Sequence, residues 1–242
     1  MAKQRPVQNV PRWVRWILAV ILAAQIAFRL TEPAPAAVVA QLGPPPPSDS
    51  LRLAALGEPV GLALLLALYL QAFDTQPGVS IPFRDLDYRN IVQWLDRIVM
   101  LDPFSAYPLL LASQVYSQVP DRNKQRTILE FVFRKFHEDP VRRWRWLAHA
   151  SIVAKHRLDD PQLALTYARA IATEANDPSV PSWARQMHIF LLEDLGQHEA
   201  AKILLGGLLA SGTVTDAHEA RFLLERLKAL ESDEISSKPS KP

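Results

Sequence analysis

The hydrophobic pattern of this chain changes character three times. Residues 16–28 read WILAVILAAQIAF, with Gln25 as the one polar position. A second apolar run, VGLALLLALYLQAF from Val60 to Phe73, carries no charge, follows Glu58-Pro59 and is closed by Asp74. Beyond it the pattern becomes helical. Ile91, Trp94, Leu95, Ile98 and Leu101 fall at offsets 0, 3, 4, 7 and 10, one face of a helix. Leu163, Ala164, Tyr167, Ala168, Ile171, Ala172 and Ala175 repeat that spacing, and Leu223, Leu224, Leu227 and Leu230 mark a last helix. Further helices are predicted over 106–119, 122–137, 141–157, 182–195 and 198–210. Convincing strand alternation is absent, and 74–87, DTQPGVSIPFRDLD, reads as a loop.

Extended from Trp13 to Leu30, the first run is about as short as a bilayer span can be. Arg15 and Arg29 can snorkel at its ends, and Trp13 and Trp16 suit the interface. Ile17, Leu18, Val20, Ile21, Leu22, Ile26 and Phe28 supply the lipid-facing surface. The positive flank comes first, so the positive-inside rule places the N-terminus in the cytoplasm and the remainder across the membrane. An uncleaved anchor is the leading reading. A cleaved signal peptide competes, with Ala34-Pro35-Ala36 before Ala37 as a small-x-small site. The second run has fourteen residues, short for a span and ordinary for a buried helix. It is taken as a core helix; a second span would return the C-terminus to the cytoplasm.

The helical breaks recur. Asp102-Pro103, Asp139-Pro140 and Asp177-Pro178 are 37 and 38 residues apart. Asp can cap a helix N-terminus, and proline fits the first turn because its missing N–H would be unpaired there. Trp146 to Ala164 spans eighteen residues, as does Trp183 to Ala201, and the two tryptophans lie 37 apart. Two markers with one period indicate repeated helix pairs.

On these residues the chain resembles the tetratricopeptide repeat (TPR) family. The resemblance is carried by LDP at Leu101–Pro103, EDP at Glu138–Pro140, NDP at Asn176–Pro178 and the Leu195-Gly196 turn before Gln197-His198-Glu199-Ala200-Ala201. Ala164, Ala168, Ala200 and Ala201 are small packing positions. The resemblance covers roughly 59–231. The period is 37–38 rather than 34, the first pair carries the long 74–87 loop, and Ile152 and Ile189 stand where a small residue is usual. The resemblance implies an all-α fold, a right-handed α-solenoid of TPR-like helical hairpins; with the first apolar run, it is expected to be preceded by a single N-terminal transmembrane helix. It also implies that the first helix of each pair lines a protein-binding groove. On the matched offset these positions are Trp146, His149, Val153, His156, Trp183, Gln186, Phe190 and Glu193.

Charge changes the picture once. The net +2 arises from Lys3, Arg5, Arg12, Arg15 and Arg29, in a stretch without Asp or Glu. Removing those five leaves 22 basic residues against 25 acidic, about −3, so the basicity belongs to the membrane segment and not to a nucleic-acid surface. Zero cysteines exclude disulfides and thiol chemistry. The absence of glycine from Val79 to Leu195 excludes Gly-rich phosphate loops there.

The chemistry-bearing patterns are thin. His149 and His156 are two helical turns apart, without a third ligand in sequence. Gly206-Gly207-Leu-Leu-Ala-Ser-Gly212 lacks the lysine of a phosphate loop, and a helix end near Gly212 accounts for it. No HExxH or GxSxG occurs. Arg142-Arg143-Trp144-Arg145-Trp146 interleaves bases and aromatics, but on a helix these point around the cylinder, one tryptophan inward and the arginines to solvent.

The expected organisation is 1–30 cytoplasmic start and transmembrane helix, 31–50 Pro-rich linker, 51–231 helical repeat domain and 232–242 disordered tail. The expected function is a membrane-anchored, non-enzymatic interaction scaffold of the inner (plasma) membrane with a periplasmic domain. It needs no cofactor, metal, nucleic acid or small-molecule substrate, and binds protein partners. A structural accessory subunit of a membrane complex is the alternative.

Overall fold

The computed structural model describes residues 11–31, 40–76 and 79–237. The candidate cleavage site at Ala34–Ala37 lies outside them. The chain divides into two units, residues 1–40 with 75–81, and residues 41–74 with 82–242. The described residues form eleven α-helices, and their strand content is a single two-residue bridge.

In the first unit, α1 (Arg12–Thr31) runs for 20 residues without burying one of them. At 1.5 Å per residue that is about 30 Å, the thickness of a hydrocarbon core. It is the one helix among the described residues that is by itself long and apolar enough to cross a membrane. Trp13, Trp16, Ile17, Leu18, Val20, Ile21, Leu22, Ile26 and Phe28 are all exposed on it. β1 (Thr75–Gln76) pairs antiparallel with β2 (Val79–Ser80). The Gln76 amide serves the backbone of Ala40, accepting its N–H at 2.9 Å and donating to its carbonyl at 3.0 Å.

The second unit holds α2 (Ser48–Ala54), α3 (Pro59–Ala72), α4 (Tyr88–Leu101), α5 (Tyr107–Leu110), α6 (Arg122–Phe136), α7 (Pro140–His156), α8 (Pro161–Glu174), α9 (Ser182–Asp194), α10 (His198–Ala210) and α11 (Ala217–Ser237). All five apolar positions predicted on α4 are buried. On α8, Ala164, Tyr167, Ala168 and Ile171 are buried too. Consecutive helices from α6 onward pack on one another, and helices two apart also meet. Arg134 on α6 pairs with Asp96 on α4 at 2.7 Å, and His137 after α6 meets Glu174 of α8 at 2.7 Å. Trp144 of α7 stands edge-on to Trp183 of α9, ring centroids 5.4 Å apart. Lys155 of α7 bonds Asp194 of α9.

Caps explain most boundaries. Asp87, Asp121, Asp139 and Asp160 each accept backbone N–H groups at the start of α4, α6, α7 and α8. The three Asp-Pro breaks do not act alike. Asp139 caps α7 with Pro140 in its first turn. Asp102 ends α4 and accepts from Phe104 and Ser105 in a turn. Asp177 bonds Ser179 in the loop before α9, whose cap residue Pro181 makes no side-chain bond. Asp160-Pro161 supplies the cap that the repeat assigned elsewhere. The Leu195-Gly196 turn is a helix stop: Gly196 has φ +71, its N–H reaches Glu193, and the Gln197 N–H reaches Leu192, both at 2.8 Å. Asp159 takes the corresponding left-handed conformation after α7, φ +52, without being glycine.

Four expectations change. Residues 31–50 are not a free spacer throughout: Leu42 is buried, and its carbonyl and that of Gly43 accept from Asn90 Nδ2 (2.7 Å) and Trp94 Nε1 (2.9 Å) on α4. The helix predicted at 106–119 is broken into α5, a π-turn over Leu111–Val115 and a 3₁₀ turn over Tyr116–Gln118. Ser117 Oγ bonds back to the Ser113 carbonyl, a contact that bends helices, while Tyr88 and Gln125 side chains take the carbonyls of Tyr116 and Ser117. α3 is not a core helix on all sides: Ala63, Ala67 and Leu70 face inward, and Val60, Leu64, Leu65, Leu68 and Tyr69 are exposed. The tail expected to be disordered from 232 is helical to Ser237, and 238–242 lie outside the described residues.

Ala164 and Ala201 have no exposed surface, and the Ser151 hydroxyl donates to the Ala164 carbonyl at 2.9 Å. Replacing either alanine by glutamate adds volume, about 1–3 kcal/mol of overpacking, and an unpaired carboxylate on top of it. Both A164E and A201E are expected to lower Tm by several degrees; wild-type melting would refute the close approach. At Asp159, glycine should be neutral or stabilising, whereas D159V should destabilise by roughly 1–2 kcal/mol because a β-branched residue resists positive φ. Urea denaturation of the two variants checks the sign.

Candidate functional site

The eight residues predicted to line a groove do not share one open surface. On α7, Trp146 and Val153 are buried, His149 is half-buried and His156 is exposed. On α9, Trp183 is exposed beside Trp144, while the other three face α11. Gln186 Nε2 donates to Glu219 at 2.5 Å, Phe190 lies 6.1 Å from the Phe222 ring, and Glu193 accepts from Arg226 Nε at 2.7 Å. Glu219, Phe222 and Arg226 occupy one face of α11 by their 3- and 4-residue spacing. Gln186, Phe190 and Glu193 are thus engaged by the last helix of the chain. Trp146, Val153 and Glu193 are packing positions in this structure, whereas Gln186, held by Glu219, also lines the cleft beside α9.

An open surface adjoins this contact. A cleft of about 650 Å³ runs between α8, α9, α10, the 211–216 loop and the start of α11, and the Gln186–Glu219 pair is part of its wall. Ile189, Ile203, Leu204, Leu208 and Val214 give it an apolar lining. Arg185, His188, Asn176 and Glu219 add polar groups. Arg185 Nε is buried there without a hydrogen-bond partner. Gly207 also lines the cleft, and a Cβ added to it would meet nothing within 4 Å. An α-helix interior disfavours glycine by up to about 1 kcal/mol relative to alanine. Gly207 therefore leaves room in the cleft at the expense of helix stability. The sequence signal is the Gly206-Gly207 pair inside the predicted helix over 198–210; both glycines are inside α10, and Gly212, φ +67, follows its end as expected.

The Arg/Trp tract of α7 is structural. Of its two tryptophans Trp146 is the one turned inward, but Arg143 is buried too and donates to the carbonyls of Lys135 (2.6 Å) and Pro103 (3.1 Å) and to Glu138 (2.8 Å). Arg142 stacks on the exposed Phe104 ring at 4.4 Å, and Arg145 lies over Trp144. A guanidinium with planar forked donors can satisfy two carbonyls and a carboxylate at once, which a lysine cannot do in the same geometry. Partial burial pushes the Glu138 carboxyl up, but Lys135 and Arg143 outweigh it and hold it below its usual range.

Burial disfavours the charged form of two histidines. His149 and His188 both have pKa values pushed down by desolvation. His188 Nδ1 lies 2.8 Å from the Arg185 carbonyl, which opposes that shift without cancelling it. Asp160 is lowered, first by the Leu163 N–H and then by the Arg126 guanidinium, against a partial desolvation cost. Among the described residues no three His, Asp or Glu side chains converge as metal ligands. No protein-family model, curated protein or solved structure matches the chain.

The histidine shifts set a pH dependence. A depressed folded-state pKa means that the unfolded chain binds more protons below its own value near 6.5, so stability rises with pH through that region. The stabilisation is complete above that value and is lost as pH falls below it. The double variant H149Q/H188Q is expected to show a flatter stability profile between about pH 7 and 5 than the native chain. Equal slopes by denaturant titration would contradict burial of the two rings.

Proposed function

We propose that the chain is a membrane-anchored, non-enzymatic interaction module that captures a protein partner in the α8–α10 cleft. In this reading α1 is a single-pass inner-membrane anchor. The five basic residues preceding residue 31 favour a cytoplasmic N-terminus, and the helical unit lies in the periplasm as an α-solenoid of TPR-like hairpins. Packing between helices two apart supports the hairpin-array part of the reading, since stacked helix pairs bury their faces on neighbours.

The observation that carries the interaction role is the apolar-lined cleft with Gly207 on its wall. Open clefts with an apolar lining and a few convergent polar groups are the usual form of a binding site. Ile203 is 72% exposed on its rim, surface that a partner would remove from water. The accessory-subunit reading draws instead on the exposed face of α3 and needs no cleft.

The test uses the full chain, affinity-tagged and purified from detergent-solubilised membranes with its cross-linked partners. G207F should abolish capture while leaving the melting curve near that of the native protein, because the new ring enters open space. G207A should bind normally and gain up to about 1 kcal/mol of helix stability. Undiminished capture by G207F would remove the cleft from the mechanism, and a native chain without any partner would sink the interaction role. A reporter fused after Pro242 checks the sidedness: activity confined to the cytoplasm would overturn the exported topology.

A further inference from the structure

We infer that the outward face of α2–α3 lies on the surface of the bilayer in which α1 is anchored, a second, monotopic membrane contact. The inference rests on α1 as a spanning helix and adds a surface to it. α2 and α3 meet at a bend of 114°, and the two helices turn large aliphatic side chains outward. Leu53 is 78% exposed, Leu56 91% and Leu65 64%, with Val60, Leu64 and Leu68 beside them. Leu56 occupies the bend itself in the left-handed region, φ +49, a conformation that costs a leucine strain and aims it into solvent. Contiguous apolar surface of this kind marks an interaction face.

Three observations select lipid as the occupant. Covalent reach is the first. Ten peptide steps separate Thr31, the end of α1, from Gln41, where the second unit begins, so the connection spans at most about 36 Å. The next two residues, Leu42 and Gly43, are bonded to α4, the helix on which α3 packs. The covalent connection is therefore short enough to keep the second unit near the membrane that α1 would span. Charge is the second. From Leu53 to Phe83 there is no Lys or Arg, and the acidic residues are Glu58 and Asp74 alone. A protein interface would carry a polar rim that fixes orientation; α3 carries no charge to do so. Length is the third. The fourteen residues of α3 extend about 21 Å, short of the roughly 30 Å hydrocarbon core. Ala63, Ala67 and Leu70 are committed to the protein. A short helix with one side on protein rests along the interface, with Tyr69 suited to the headgroup level. α2 carries Arg52 offset by Asp49, and α3 carries no basic residue, so the contact has no basic cluster that would demand anionic lipid.

Because the chain has no cysteine, single labels can be placed cleanly. Full-length L65C, L68C and T166C, each carrying an environment-sensitive fluorophore, are reconstituted in phosphatidylcholine vesicles. Thr166 is exposed on α8, away from the proposed contact. Nitroxide lipids with the quencher near the headgroup should roughly halve emission at 65 and 68 and leave 166 unchanged, without dependence on salt. Shallow nitroxides should quench more than deep ones. Water-like emission at 65 and 68 in vesicles overturns the inference. So does a blue shift without lipid quenching, which assigns the face to a second copy or a protein partner. Stronger quenching by deep nitroxides also overturns it, in favour of a second span. Carbonate extraction of the native chain separates the two layers of the argument: a chain washed off the vesicles sinks the anchor and this contact together, whereas a retained chain with aqueous labels sinks this contact alone.

Discussion

The close approach of backbones along α7, α8 and α9 is the constraint on which the helical unit depends. Ala148, Ala150, Ala154, Ala164, Ala168 and Ala184 are buried almost completely on these three helices. The Ser151 hydroxyl reaches the Ala164 carbonyl on the adjacent helix at 2.9 Å, a distance that leaves no room for a larger side chain between them. Interiors packed at crystal density gain dispersion energy from every such contact and lose it sharply when a gap or an extra methylene intervenes. The ion pairs that link helices two apart sit outside this seam and are partly exposed, as between Arg126 and Asp160 at 2.6 Å. Pairs of that kind contribute about 0–1 kcal/mol each. They fix register; the alanine seam holds the helices together.

The periodic part of the sequence was readable because burial on a helix is a matter of spacing. Ile91 to Leu101 and Ala164 to Ile171 were assigned to the inside from offsets alone, and they are inside. α3 was not readable in that way. Its composition is apolar on every side, so hydropathy could not say which side meets protein. The discriminating signal is small residues at helical spacing: Ala63 and Ala67 mark the packed face, and Leu70 continues it at offset 7. Asp-Pro pairs were over-read, since the same dipeptide serves as a cap at Asp139, a post-helical turn at Asp102 and a loop bond at Asp177. Only the local backbone distinguishes these uses.

The eight groove positions are divided among different surroundings for a tertiary reason. Carrying positions from α7 to α9 by a common offset assumes that the array continues past α9 as it began. Here α11 comes back onto α9 and supplies Glu219, Phe222 and Arg226 to Gln186, Phe190 and Glu193. The partners lie 33, 32 and 33 residues downstream of the groove positions, slightly less than the internal period. Arg143 was missed for a different reason. A charge within an Arg-rich tract looks solvated, and nothing local announces that two carbonyls and a carboxylate from three different turns converge on it.

What remains exposed is informative because exposure has a cost here. Fully burying a leucine is worth about 1.5–3 kcal/mol, and α3 forgoes much of that at Leu64, Leu65 and Leu68. α10 forgoes helix stability at Gly206 and Gly207, where a Cβ would meet nothing. Neither sacrifice improves the packing of the helices themselves. Folding stabilities amount to only about 5–15 kcal/mol, so terms of this size are not negligible within them. They become understandable if each surface is completed from outside: α3 by an apolar phase that needs no polar recognition, the cleft by a ligand that needs space. The two surfaces differ in chemistry as those roles require. One is continuous, aliphatic and free of charge. The other is concave and combines Ile189, Ile203 and Leu208 with Arg185, His188 and Glu219, groups able to discriminate between partners. In the proposed reading, placement on a membrane and selection of a ligand fall to separate helices, with the alanine seam of α7–α9 between α3 and α10 in the chain.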